Sequence, residues 1–194
     1  MYRSWVMAAV AAAATVGAAC SQQPPAANST TPAATAAPAA PTPVERGKYL
    51  VNAIGCNDCH TPKTMGPNGP EPDMTRLLSG QPEADKLPPA PKPDGPWIAS
   101  TTPNMTAWAG PWGVSFAANL TPDRNTGLGI WTEQMFVTAI REGKHMGTSR
   151  PILPPMPWQD LRMLSDADLK AIFAYLQSIP AIANHVPDPI APAK

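Results

Sequence analysis

The chain has 194 residues with 14 basic and 14 acidic side chains, so it carries no formal net charge at neutral pH. That balance supplies no electrostatic reason for nucleic acid or an anionic membrane surface as a partner. The length suits one domain with appendages, three cysteines exclude a disulfide framework, and 27 prolines predict a loop-rich fold.

Residues 1–19 read as an export signal. Arg3 supplies a positive start, residues 5–16 form an alanine-dominated apolar run, and Gly17, Ala18 and Ala19 lead into Cys20. The run falls short of the ~20 residues that span a bilayer. Its end resembles a bacterial lipobox, with Gly17 where leucine is usual, which implies lipidation of Cys20 and a membrane anchor. The alternative is an ordinary signal cut near Ala19, leaving Cys20 a free thiol.

Residues 20–43 read as a linker. From 21 to 43 only Ser, Gln, Pro, Ala, Asn and Thr occur, with neither charge nor a large apolar group to offset the entropy of ordering. Proline extends such a tract by ~3.1 Å per residue. With a lipid on Cys20 it becomes a stalk.

A first helix is expected from Thr42. Thr42 and Glu45 form a capping box, and Pro43 sits at the first helical position. Val44, Leu50, Val51 and Ile54 give an apolar stripe, and Gly55 ends it. Gly47 costs roughly 1 kcal/mol relative to alanine inside a helix, so it predicts close approach of another helix.

Cys56-Asn57-Asp58-Cys59-His60 follows directly. C-x-x-C-H is the attachment pattern of a c-type haem. Two intervening residues space the thiols for two haem vinyl groups, and the adjacent imidazole meets the iron. The bland alternatives are a redox dithiol or half a zinc site. Zinc needs further ligands, and only Cys20, His145 and His185 remain among Cys and His. A redox dithiol needs a βαβ context that the sequence does not offer.

A first helix with an internal glycine, running into C-x-x-C-H, resembles class I cytochrome c. The resemblance implies an all-α fold, with few helices around one covalently bound haem c and long Pro-rich loops. The cytochrome domain is expected over 44–182, with a loop insertion at 61–118 and a tail at 183–194. It also implies haem attachment outside the cytoplasmic membrane, which agrees with the signal.

Within 61–118 no period holds, although 97–100 and 114–118 suit short strands. Trp97, Trp108 and Trp112 either staple this loop to the domain or form a docking surface at the haem edge. Gly66-Pro67 resembles the turn whose carbonyl accepts from the proximal imidazole, which would make Pro67 a partner of His60.

Residues 119–131 resemble bacterial monohaem cytochromes. Thr132 caps a helix carrying Phe136, Val137 and Ile140, which Gly143 stops. The resemblance sets Trp131 where a tryptophan bonds a haem propionate; the other reading is plain core. Arg141, Lys144 and Arg150 are propionate candidates or solvated charges.

The run from Arg150 to Trp158 contains Pro154-Pro155-Met156-Pro157, nine residues from Met156 to the next cap, Ser165. A thioether suits haem iron and raises its potential. Met156 is therefore the expected distal ligand, opposite His60. The bland reading is a core methionine. Met146, Met163, Met74 and Met105 compete, and His145 would give a bis-histidine iron.

Ser165 caps the last helix, with Asp168 completing a capping-box-like pair. Leu169, Ile172, Phe173, Leu176 and Ile179 follow at helical spacing, and Pro180 ends it. The resemblance sets Gly47 against Tyr175 or Phe173. His185 reads as a surface residue. The functional expectation is a one-electron carrier rather than an enzyme, exported to the periplasmic side, with redox proteins (a dehydrogenase or terminal oxidase) as partners. The alternative is a cytochrome subunit of a membrane dehydrogenase or oxidase complex, such as a quinoprotein or flavoprotein alcohol oxidiser. One C-x-x-C-H excludes a di-haem peroxidase, and a methionine ligand excludes an open gas-binding iron.

Overall fold

In the computed structural model, which describes residues 39–91 and 95–192, the first helix begins where its capping chemistry predicts. Helix α1 spans Pro43–Ala53. The Thr42 hydroxyl accepts from the Glu45 amide at 3.2 Å, and the Glu45 carboxylate accepts from the Thr42 amide at 2.8 Å. Gly47, Leu50 and Val51 form its buried face, while Val44 and Ile54 are exposed. The stripe is thus narrower than the spacing suggests. The export signal, Cys20 and the linker up to residue 38 lie outside the described residues.

The last helix, α5 (Asp166–Ser178), buries Leu169, Ile172, Phe173, Tyr175 and Leu176. It crosses α1 at Gly47. A β-carbon there would lie 2.8 Å from Tyr175 Cβ and closer still to the Ala171 carbonyl, so only glycine admits this crossing. Of the two aromatics expected opposite Gly47, Tyr175 is the one in place. Ser165 caps α5 through the Asp168 amide at 3.1 Å. The Asp168 carboxylate does not close a capping box. It accepts from Arg46 Nε at 2.8 Å instead, so a tertiary ion pair between the two helices displaces the local cap. Helix α3 (Glu133–Glu142), capped by Thr132, adds Phe136, Val137 and Ile140 to the same core. The Phe136 and Phe173 rings meet at 5.4 Å.

The helices are not alone, which corrects the all-α expectation. Strands β1 (Lys63–Gly66) and β2 (Gly69–Pro72) form a hairpin, and β3 (Ser100–Thr101), β4 (Ala107–Gly110) and β5 (Gly113–Phe116) form an antiparallel sheet. Strands near 100 and 114 were expected; β1, β2 and β4 were not. Each is too short for alternation to show, and tight Gly-Pro turns that bar helices still permit hairpins. Trp108 and Trp112 are half-buried in this sheet, whereas Trp97 is 76% exposed.

The tail works as a strap. The Asn184 side-chain amide donates to the Ser79 and Gln81 carbonyls at 2.7 and 2.8 Å, and Ile190 bridges to Val114 on β5. No helix among the described residues is long and apolar enough to cross a membrane.

Two outcomes follow from the α1–α5 crossing. Gly47→Val should lower stability by about 3 kcal/mol in denaturant unfolding, because backbone and Tyr175 occupy the space a side chain needs. The Asp168 carboxyl is held below the usual carboxylate range, chiefly by the hydrogen bond from Arg46. A depressed folded-state pKa stabilises above the unfolded value and is lost as pH falls through the folded one. Unfolding curves of wild type and Asp168→Asn should therefore differ at pH 7 and converge below about pH 4.

Candidate haem-binding site

Helix α2 is the short turn Cys56–His60, entered through Gly55. It carries both thiols and the imidazole. Cys56 and Cys59 are free and half-buried. Burial pushes the Cys56 thiol up to about 11 and raises Cys59 as well. Among the described residues no group of three or more His, Cys, Asp or Glu side chains is placed to hold a metal ion. All strand pairs described are antiparallel, so the βαβ setting of a redox dithiol is missing.

His60 is buried, and its Nδ1 lies 2.8 Å from the Ala118 carbonyl oxygen. A carbonyl only accepts, so Nδ1 carries the proton and Nε2 keeps its lone pair. Burial pushes the His60 pKa down and favours the neutral ring, against the weaker opposing pull of the Ala118 bond. Nε2 makes no hydrogen bond among the described residues. An oriented, neutral imidazole with one free nitrogen is what a haem iron requires.

The acceptor corrects the expectation for Pro67. Gly66 and Gly69 face each other in the β1–β2 hairpin, which commits Pro67 to its turn. The carbonyl that orients His60 comes from the far end of the long segment instead. Its placement is tight. The His60 carbonyl accepts from the Gly80 amide at 2.8 Å, and the Ala117 carbonyl accepts from Gln81 at 2.9 Å. A β-carbon on Gly80, whose φ is +78°, would lie 2.6 Å from the Ala118 carbonyl carbon.

Cys56, Trp131 and Met156 are partly buried against one core cluster, so three elements distant in sequence converge on it. Met156 lies in a turn in which its amide donates to Leu153 at 3.3 Å and its carbonyl accepts from Trp158 at 2.9 Å. Of its rivals, Met163 and Met74 are 81% and 66% exposed. His145 stands edge-on to the Trp131 ring, centroids 5.2 Å apart. Trp131 packs on the core, and its indole N–H makes no hydrogen bond among the described residues. Arg141 is committed to the Arg162 and Leu164 carbonyls and to Asp166, while Lys144 and Arg150 are exposed.

These donors fit a haem: two thiols on one turn, an aimed imidazole, and a thioether on the same core. One further donor supports the fit. Trp108 Nε1 is buried with no hydrogen-bond partner among the described residues, which leaves a donor free for an acceptor on a bound group.

No protein-family model matches the chain. Curated relatives do. It is 30% identical to the gluconate 2-dehydrogenase cytochrome c subunit of Pantoea cypripedii over 132 residues, covering 68% of this chain and 22% of the relative. It is 27% identical to the fructose dehydrogenase cytochrome subunit of Gluconobacter japonicus over 150 residues, 74% of this chain and 24% of the relative. These relatives support a c-type cytochrome. The chain is also 30% identical to a diheme cytochrome c-type protein of Cereibacter sphaeroides over 142 residues, 71% of this chain and 36% of that one. The chain thus spans well under half the length of each.

Sequence reasoning missed Ala118 because it acts through its backbone, which no side-chain motif records. The Gly80→Ala variant should lose about 1–3 kcal/mol of stability from the collision with residues 117–118. The His60 Nδ1 proton, followed by NMR, should exchange faster than in wild type; unchanged exchange would separate Gly80 from the imidazole's orientation.

Proposed function

We propose that this chain is the electron-transfer cytochrome of a membrane dehydrogenase. The observation that carries this reading is that its relatives include cytochrome subunits of gluconate, fructose and quinone-linked alcohol dehydrogenases. One C-x-x-C-H supports one haem c, with Cys56 and Cys59 as the attachment thiols. His60 and Met156 would ligate its iron, and Trp131 would lie beside the ring. When bound, the haem supplies a one-electron couple between Fe(III) and Fe(II).

The protein's part is to fix that couple. The Ala118 bond holds the His60 ring in one tautomer and orientation, so His60 need not reorient as charge changes. A thioether from Met156 favours the reduced state and raises the potential. With His60 and Met156 both on the iron no position would be left for substrate, which supports a carrier rather than a catalyst. Export, lipidation of Cys20, a linker that ends at the Thr42 cap and a cytochrome domain from α1 to residue 182, with the tail strapped onto it, complete the proposal. A lipid anchor on the periplasmic side would keep the carrier beside a membrane-bound donor.

Met156→Ala in the haem-loaded protein tests the ligand set. The variant should lose the weak absorption band near the red edge of the visible in the oxidised state, and its potential should fall. A wild type that lacks the band and binds CO rapidly when reduced would refute the carrier reading. Separately, Cys20→Ser should move the protein from the membrane to the soluble fraction, and an unchanged partition would remove the anchor.

A further inference from the structure

We propose that Ser115 is a positioning residue for the distal loop, holding the Met156 segment in place through the Pro154 carbonyl. The inference rests on the reading of Met156 as an axial ligand. Ser115 lies on β5, is 8% exposed, and its Oγ stands 2.6 Å from Pro154 O, two residues before Met156.

The direction of that bond is set by chemistry. Trp112 Nε1 lies 3.2 Å from Ser115 Oγ, and an indole nitrogen only donates. The serine oxygen therefore accepts from Trp112, and its single proton is left for an acceptor. Two carbonyls are in range, Pro154 at 2.6 Å and Trp108 at 3.5 Å; the shorter takes it. Trp112, Ser115 and Pro154 thus form a short directed chain from the sheet into the loop.

The loop needs an outside donor. Pro151, Pro154, Pro155 and Pro157 carry no amide hydrogen, so apart from Ile152 N–H on the Gly143 carbonyl at 2.8 Å, the Arg150 carbonyl accepting from His145 at 2.9 Å and the Met156 turn itself, its backbone has few anchors. A methionine side chain has three rotatable bonds and is held only as well as the backbone that bears it. Two residues past β5 the chain reaches Ala118, whose carbonyl accepts from His60 at 2.8 Å. Residues 115–118 therefore contact both His60 and the loop that bears Met156, which gives the inserted sheet a role in the site.

The test uses the full chain loaded with haem, comparing wild type, Ser115→Ala, Ser115→Thr and Met156→Ala. The readouts are the red-edge band and the rate at which cyanide enters the oxidised protein. Ser115→Ala should weaken the band and admit cyanide about tenfold faster, the scale of one lost buried hydrogen bond. Ser115→Thr, which keeps the hydroxyl, should restore both. If Ser115→Ala matches wild type while Met156→Ala loses the band, the inference fails and the ligand reading stands. A lower unfolding midpoint with band and cyanide rate unchanged, or Thr behaving as Ala does, also overturns it. If Met156→Ala keeps the band, the ligand reading fails and takes the inference with it. Should Ser115→Ala not mature, the size-matched Ser115→Thr and Ser115→Val pair makes the same comparison.

Discussion

The hydrogen bond from His60 Nδ1 to the Ala118 carbonyl is the constraint on which the rest depends. It decides the tautomer, the ring orientation and which nitrogen is free. Without it, C-x-x-C-H would present an imidazole able to rotate and to carry its proton on either nitrogen. The bond spans 58 residues of chain, so everything that folds the long segment back onto α2 serves it. The Gly80 crossing, the Gln81–Ala117 bond and the Asn184 strap all brace the same stretch from different sides. His60 itself is buried, so its ring nitrogen has no water to replace a lost acceptor, and this bracing also protects the fold.

The helices supply the opposite requirement, a stiff apolar wall. Gly47 lets α1 and α5 approach until backbone meets backbone, and Arg46–Asp168 ties them at the same end. α3 completes the wall through Phe136, Val137 and Ile140. Cys56, Trp131 and Met156 lean on this common core, so the C-x-x-C-H turn, α3 and the Met156 loop are fixed relative to one another. A carrier gains from such rigidity, because electron transfer is faster when little has to move between oxidation states.

The helical half was legible because its signals are local. Thr42, Thr132 and Ser165 each cap the helix they were expected to cap, and Gly47 marked a close crossing. The strands were less legible: two to four residues carry no readable alternation, and their prolines and glycines look like loop. The partner of His60 was misplaced for a related reason. A backbone acceptor has no residue code, and Gly66-Pro67 had the right local chemistry in the wrong place. The capping role of Asp168 failed where Arg46 offered a better partner from a distant helix. Local rules yield where a tertiary contact competes, and both of these cases lie on contacts more than 50 residues apart.

The central claim is that one haem is bound covalently through Cys56 and Cys59 on the His60 turn. Intact mass under denaturing conditions, on protein produced with a c-type haem maturation system, tests it most directly. The account predicts a gain of one haem per chain that survives denaturation, and its loss in the Cys56→Ala, Cys59→Ala double variant. A chain that carries no covalent haem, carries two, or keeps its haem in the double variant would contradict it.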